Sequence, residues 1–203
     1  IHIDTSRVDD TYGIAEELFD FCIKLNPNIR FEFGTEENVG VAAGAVKYKN
    51  DVAFAKNMPN LEFVVAQTGS LCHEDHQAGT FEIDMVRDLV AVANENGVKL
   101  KEHNADYLTP AEVQLRRAAG VHAMNIAPQL GVVQTETILR LAHEQGVDTE
   151  PFRQAVLASG KYAKWMQGGG DDVKVLAGGH YCYKTPEFYA LVRDIHNWAW
   201  EVN

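Results

Sequence analysis

Short runs rich in Val, Ile and Phe recur along the chain: "IHID" (1–4), "IRFEFG" (29–34), "LEFVVAQTG" (61–69), "VKLKEHN" (98–104) and "VHAMNIAP" (121–128). Branched and aromatic side chains, several alternating with polar ones, fit a pleated surface, so each run predicts a strand. Most gaps carry a helical spacing instead. Ile14, Leu18, Phe21, Cys22 and Leu25 form an apolar stripe that Asn26-Pro27 ends, and Ile83, Val86, Leu89, Val90 and Ala93 form another that stops at "NENG". Thr109-Pro110 reads as an N-cap followed by Pro at the first helical position, with Glu112 at the capping-box position. Strand and helix in regular alternation predict parallel βαβ units.

Two architectures use such units, the doubly wound open sheet and the closed (β/α)8 TIM barrel. Polar residues favour the barrel. Asp4-Thr5-Ser6, Thr35-Glu36-Glu37, Gln67-Thr68, Glu102-His103-Asn104 and Asn125 stand at the C-terminal tips of the five strands, which in a barrel converge on one mouth. An open sheet would use one or two of these tips, and no GxGxxG follows any strand. Five units cannot close an eight-stranded barrel, so about three N-terminal units are expected to lie upstream of residue 1. Residues 1–145 are expected to hold the βα units. From 146 to 203 the pattern is helical, "VDTEPFRQAVLAS" with an Asp148 or Thr149 N-cap and "PEFYALVRDIHNWAWEVN" flanking the glycine-rich turns "QGGGDD" and "LAGGHYCYKTPEF". No linker separates the two parts, and a single domain is expected.

Composition narrows the function. At 203 residues and 46% hydrophobic the chain can bury a real core. A formal charge of -11 without a basic stripe opposes binding to a phosphate backbone, so nucleic acid is not an expected partner. No apolar stretch approaches the ~20 residues of a membrane helix. Cys22, Cys72 and Cys182 lack disulfide-framework or CxxC spacing, which suits a reducing cytoplasm.

The islands "HIDTS", "FEFGTEE", "VVAQTGSLCHEDH", "EHNADYLTP", "MNIAPQLGVVQTETIL" and "KVLAGGHYCYKTPEF" resemble, in order and spacing, the non-catalytic subunit of class II D-tagatose-1,6-bisphosphate aldolase, a family formerly labelled tagatose-6-phosphate kinase. The resemblance runs from residue 1 to about residue 195. It implies a TIM barrel of about twice this length, in which "HIDTS" is the fourth strand. It also implies a role in sugar catabolism beside a catalytic aldolase subunit, or in a homo-oligomer, with a pocket for a sugar phosphate. The kinase label fits poorly, since no GxxxxGK[ST] loop is present to hold ATP phosphates.

Several residues become candidates for that pocket. His73 and His76 stand where a class II aldolase would place imidazoles around zinc, which polarises a substrate carbonyl; a third ligand would come from elsewhere, Glu102 or His103. Strand alternation sends Glu32 to the face opposite Phe31 and Phe33, into the barrel, where its carboxylate needs a partner. Burial could also raise its pKa and make it a general base, and Glu36 is a further catalytic candidate. In "KLKEHNADYLTP", Lys101 and His103 share one strand face and Leu100 and Glu102 the other. His103 with Asp106 can serve as acid, base or hydrogen-bond donor, the carboxylate fixing the imidazole tautomer. Asp4, Glu32, Gln67 and Asn125 are expected to contact substrate. A helix opening near Pro128 and Gly131 offers backbone N–H groups to a phosphate, and His180, Tyr181, Tyr183 and Lys184 are further mouth candidates. The alternative function is a self-sufficient metal-dependent aldolase or isomerase acting on a sugar phosphate.

Overall fold

A computed structural model describes residues 1–35, 40–42, 44–73, 75–166 and 168–201. Its contacts divide the chain into two compact units, the first formed by Ile1–Leu71 with Gln77–Ile126 and the second by Cys72–His76 with the chain from Ala127 onward.

The first unit holds five strands in one parallel sheet: β1 (His2–Asp4), β2 (Phe31–Gly34), β3 (Leu61–Ala66), β6 (Lys99–Glu102) and β7 (Ala123–Met124). Their spatial order is β1-β2-β3-β6-β7, so each new strand is added on the same side of the last. A doubly wound sheet reverses its order at a switch point, and this one does not. The intervening β4 (Cys72–His73) and β5 (His76–Gln77) form a small two-stranded hairpin that period-two reading did not anticipate.

Four helices connect these strands: α1 (Thr11–Leu25), α2 (Ala45–Ala55), α3 (Ile83–Glu95) and α4 (Pro110–Ala119). All four contribute to a single core with one face of the sheet. Ile3, Phe31, Phe33, Val64, Ala66 and Leu100 meet Ala15 and Phe19 of α1, Val52 of α2, Val86 and Leu89 of α3, and Ala119 of α4. Helices on one face only, joined to strands in unbroken sequential order, are the arrangement of a (β/α) barrel. The opposite face carries the alternate residues of each strand, His2 and Asp4, Glu32, Phe63 and Val65, and Lys99 and Lys101. Unusually for a core strand, that face is largely charged.

Local signals set the helix ends. Thr109 caps α4 with both arms of a capping box, Glu112 N donating to Thr109 Oγ1 (3.3 Å) and Thr109 N to the Glu112 carboxylate (2.7 Å). Asn26 terminates α1. At α6 (Glu150–Ser159) the formal cap is Thr149, but the side chain that accepts a backbone N–H is Asp148, from Glu150 N at 2.9 Å.

The second unit is helical, with α5 (Pro128–Glu144), α6, α7 (Asp171–Gly178) and α8 (Pro186–Glu201) around a core of Ala142, Phe152, Val156, Val175, Cys182 and Leu191. Its longer segment starts at Ala127, and α5 packs with the C-terminal helices. The glycine-rich stretch expected as a turn at "QGGGDD" leads instead into α7, an eight-residue helix pinned by buried Val175 and Ala177.

Candidate functional site

Charged side chains on the open face of the first unit gather around one carboxylate. The parallel register sets His2 directly beside Glu32, and its Nδ1 lies 2.8 Å from Glu32 Oε1. His103, the residue after β6, places Nε2 2.6 Å from the same oxygen. Lys101, on the same face of β6, sets its ammonium on Oε2. The two imidazole rings lean together at 4.9 Å between centroids. His103, Lys101 and Glu32 are all largely covered, with side-chain exposures of 24%, 18% and 14%.

This arrangement fixes the ionisation of Glu32 and corrects the expectation of a general base with a raised pKa. Burial acts to raise its pKa, but hydrogen bonds from His103, His2 and Lys101, with the charge of His103, outweigh that and hold it well below the usual carboxylate range. An ionised carboxylate only accepts, so the facing nitrogens of both imidazoles must be donors. In the neutral form each ring then keeps its other nitrogen as a basic site. Asp4 stands two residues along β1, its Oδ1 accepting from Ser6 N at 2.9 Å. Its pKa is also lowered: burial opposes the shift, and Ser6 together with the charges of His2 and His103 prevails.

Glu102 takes no part. It is fully buried on the helix-covered face, where Arg116 Nε of α4 donates to its Oε1 at 2.8 Å and the guanidinium stacks 4.3 Å over Phe81. Strand alternation turns it away from His103, so it is corrected from a possible metal ligand to a buried ion-pair partner. Asp106 is completely buried, its backbone carbonyl accepting from Gln77 Nε2 at 2.9 Å. The loop carrying it turns through two left-handed residues, Asn104 (φ 56°) and Tyr107 (φ 58°), strained backbone of the kind that collects at functional sites. Gln67 is buried at the tip of β3. Asn125 ties β7 to β6, its N–H donating to Glu102 O (3.2 Å) and its carbonyl accepting from Ala105 N (3.0 Å). Glu36 lies outside the described residues.

His73 and His76 sit in the hairpin, in β4 and β5, with His76 exposed and Asp75 Oδ1 3.2 Å from its Nδ1. The group of potential metal ligands that converges among the described residues is another one: the ligand atoms of His2, Glu32 and His103 all lie within 4.8 Å of one another. Two imidazoles and one carboxylate suit zinc and other borderline divalent cations, so the donor set fits such an ion. Sequence reading did not single out His2 or Lys101. The available signal was alternation combined with strand order, which puts His2, Glu32 and Lys101 on one face.

At the other end of the sheet, Glu62 is held by Arg30 and by Lys99 Nζ at 3.0 Å, beside a cavity of about 480 Å³ lined also by Asn28 and Asn60. In the second unit, Thr135 Oγ1 and Tyr183 OH lie 2.8 Å apart, and a Cβ on Gly131 would come within 2.5 Å of His180 Nδ1. Tyr183 and His180 therefore have packing roles within the helical unit. Among the described residues no helix is long and apolar enough to cross a membrane.

No family model and no curated protein matches the sequence. Solved structures do. Over 97% of its length the chain superposes on 59% of a Sinorhizobium meliloti protein described as a tagatose 6 phosphate kinase, with a TM-score of 0.77 and 16% identity. For the fructuronate-tagaturonate epimerase UxaE of Cohnella laeviribosi the TM-score is 0.57 at 12% identity, covering 92% of this chain and 47% of that one. For a Coccidioides immitis protein described as a fructose-1,6-biphosphate aldolase it is 0.50 at 14% identity, covering 98% and 56%. At these identities the likeness establishes the fold, part of a (β/α)8 barrel, and the chain spans 59% or less of each of these proteins.

Proposed function

We propose that the protein is an accessory barrel subunit of a class II ketose-bisphosphate aldolase, of the tagatose-bisphosphate type, that holds a phosphorylated sugar against the Glu32 centre. The observation that carries this reading is the ammonium of Lys101 and two imidazoles fixed around one carboxylate on the open sheet face. Preorganised donors of this kind recognise the hydroxyl and oxyanion groups of a sugar phosphate without further reorganisation. In this role His103 donates to or accepts from a sugar hydroxyl, Asp106 fixes the loop that carries it, and Asp4, Gln67 and Asn125 supply further polar contacts at the strand tips. Glu36, in the same tip region of the sequence, is the proposed base if the protein is itself an enzyme. The partner is a catalytic aldolase subunit, with a homo-oligomer as the other arrangement. Two observations point to phosphorylated or acidic sugars as the substrate class: the sequence islands of the aldolase subunit family, and the likeness to a protein described as a tagatose 6 phosphate kinase.

A second reading, a self-sufficient metal-dependent aldolase or isomerase, is favoured by the convergence of His2, Glu32 and His103 within 4.8 Å. These three residues would hold the ion, with His73 and His76 of the hairpin as the other proposed imidazoles, and a bound divalent cation would polarise a ketose carbonyl.

The experiment that separates them uses the full-length protein with tagatose 1,6-bisphosphate and fructose 1,6-bisphosphate. On the accessory reading it binds a ketose bisphosphate, gives no cleavage alone, and raises the turnover or lifetime of a catalytic class II subunit. Cleavage by the protein alone, dependent on added zinc, would establish the second reading; absence of any binding to either sugar would remove both.

A further inference from the structure

The Lys101 ammonium of the Glu32 centre has a consequence for metal binding. Both oxygens of the Glu32 carboxylate are already engaged. Oε1 of Glu32 accepts from both imidazoles, and Oε2 carries the Lys101 ammonium. Lys101 is not a surface lysine that can swing away. Its side chain is 18% exposed and its Nζ lies 5.7 Å from the centroid of the Phe63 ring. Glu62, at the other end of the sheet, is committed to Arg30 and to Lys99, the lysine two positions earlier. Glu32 is the carboxylate with which Lys101 pairs.

We propose that Lys101 is the built-in cation of this centre: its ammonium pairs Glu32 where a divalent ion would, and so sets the metal affinity of the His2–Glu32–His103 cluster. The physical reason is direct. A divalent ion bound to Glu32 would sit within a few ångströms of a fixed like charge that is partly withdrawn from water, where Coulomb repulsion is poorly screened. Metal can enter only by repelling or displacing the ammonium. With Lys101 present, the charge of Glu32 is already neutralised by a fixed cation. Without that ammonium, two imidazoles and a carboxylate remain, a donor set suited to a divalent ion. This inference deepens the reading of the same centre, and its test needs no sugar, so either can fail while the other stands.

The test is titration of the full-length protein with cobalt(II) chloride, followed by calorimetry and by the visible absorption of protein-bound cobalt. Lys101→Met keeps the unbranched stem over Phe63 and removes the charge; Lys101→Arg keeps the charge. The expected result is that K101M binds cobalt about tenfold or more tightly than the wild type, that K101R does not, and that adding Glu32→Gln to K101M abolishes the gain. Equal or weaker binding by K101M, including no binding by either protein, overturns the proposal. Should K101M fail to fold, the wild type carries the test: Lys101 acetylation by acetic anhydride, mapped by mass spectrometry, rises on addition of cobalt if metal displaces the ammonium. Unchanged acetylation at saturating or millimolar cobalt overturns the proposal equally.

Discussion

His103 Nε2 lies 2.6 Å from Glu32 Oε1 although 71 positions separate the two residues. The contact spans the sheet from β6 to β2, with β3 between them. It exists because both strands turn the same phase of their alternation to the open face. The same contact, with those from His2 and Lys101, makes Glu32 the most strongly stabilised anion of the open face, and its titration has a measurable consequence.

In the unfolded chain Glu32 should titrate near pH 4.3, roughly the value of a free glutamate, whereas in the fold its pKa is held well below that range, burial being outweighed by His103, His2 and Lys101. Between these values the unfolded state binds more protons than the folded one, so stability rises with pH. The contribution is complete above the unfolded pKa and drains away as pH falls through the acid range. Glu32→Gln should therefore be less stable than the wild type at pH 7, with the difference shrinking below about pH 4. Urea midpoints at a series of pH values check this; parallel curves for the two proteins would refute it.

The Glu102–Arg116 pair is buried at 0% and 2% side-chain exposure and joins β6 to α4. Removing one partner leaves an uncompensated charge in the core. Arg116→Met or Glu102→Leu alone should cost about 3–5 kcal/mol in denaturant unfolding, and the double substitution much less than the sum. If the two single losses simply add, the pair is not coupled as its geometry indicates.

Two glycines pinch the loop between β3 and α3. Gly69 has φ +97°, and a Cβ there would fall 1.8 Å from Thr80 O; a Cβ on Gly79 would fall 1.8 Å from Gly69 O. Backbone atoms cannot yield as a side chain would. Gly69→Ala and Gly79→Ala should each destabilise by roughly 1–3 kcal/mol or more, and sugar binding should weaken because Gln67 and Thr68 lead into this crossing. Unchanged thermal midpoints would show that the two segments can separate freely.

Thr109→Ala removes the side-chain arm of the cap on α4, in which Thr109 Oγ1 accepts from Glu112 N and also donates to its carboxylate, and leaves the backbone arm from Thr109 N. The pKa of Glu112 is lowered chiefly by these Thr109 contacts. A loss of about 1 kcal/mol is expected, recovered by Thr109→Ser. A serine variant as unstable as the alanine variant would assign the effect to the threonine methyl group instead.

What the sequence determined by itself is whatever depends on neighbours along the chain. Period-two runs placed five parallel strands, 3.6-residue stripes and the Thr109 cap placed α1, α3 and α4, and alternation alone put Glu32 opposite Phe31 and Phe33. These signals are local because side-chain direction and capping are set within a few residues. Tertiary structure decided the rest. Which cation meets Glu32, whether Glu102 faces Arg116 or the open side, and that α5 joins the helical unit all depend on register and strand order, which carry no signature at any one position. Helix α7 also escaped sequence reading, since eight residues beside three glycines form no stable helix alone and are held by burial of Val175. His2, Glu32, Lys101 and His103 form a centre only because the parallel sheet brings 100 positions of chain into one row of alternating faces.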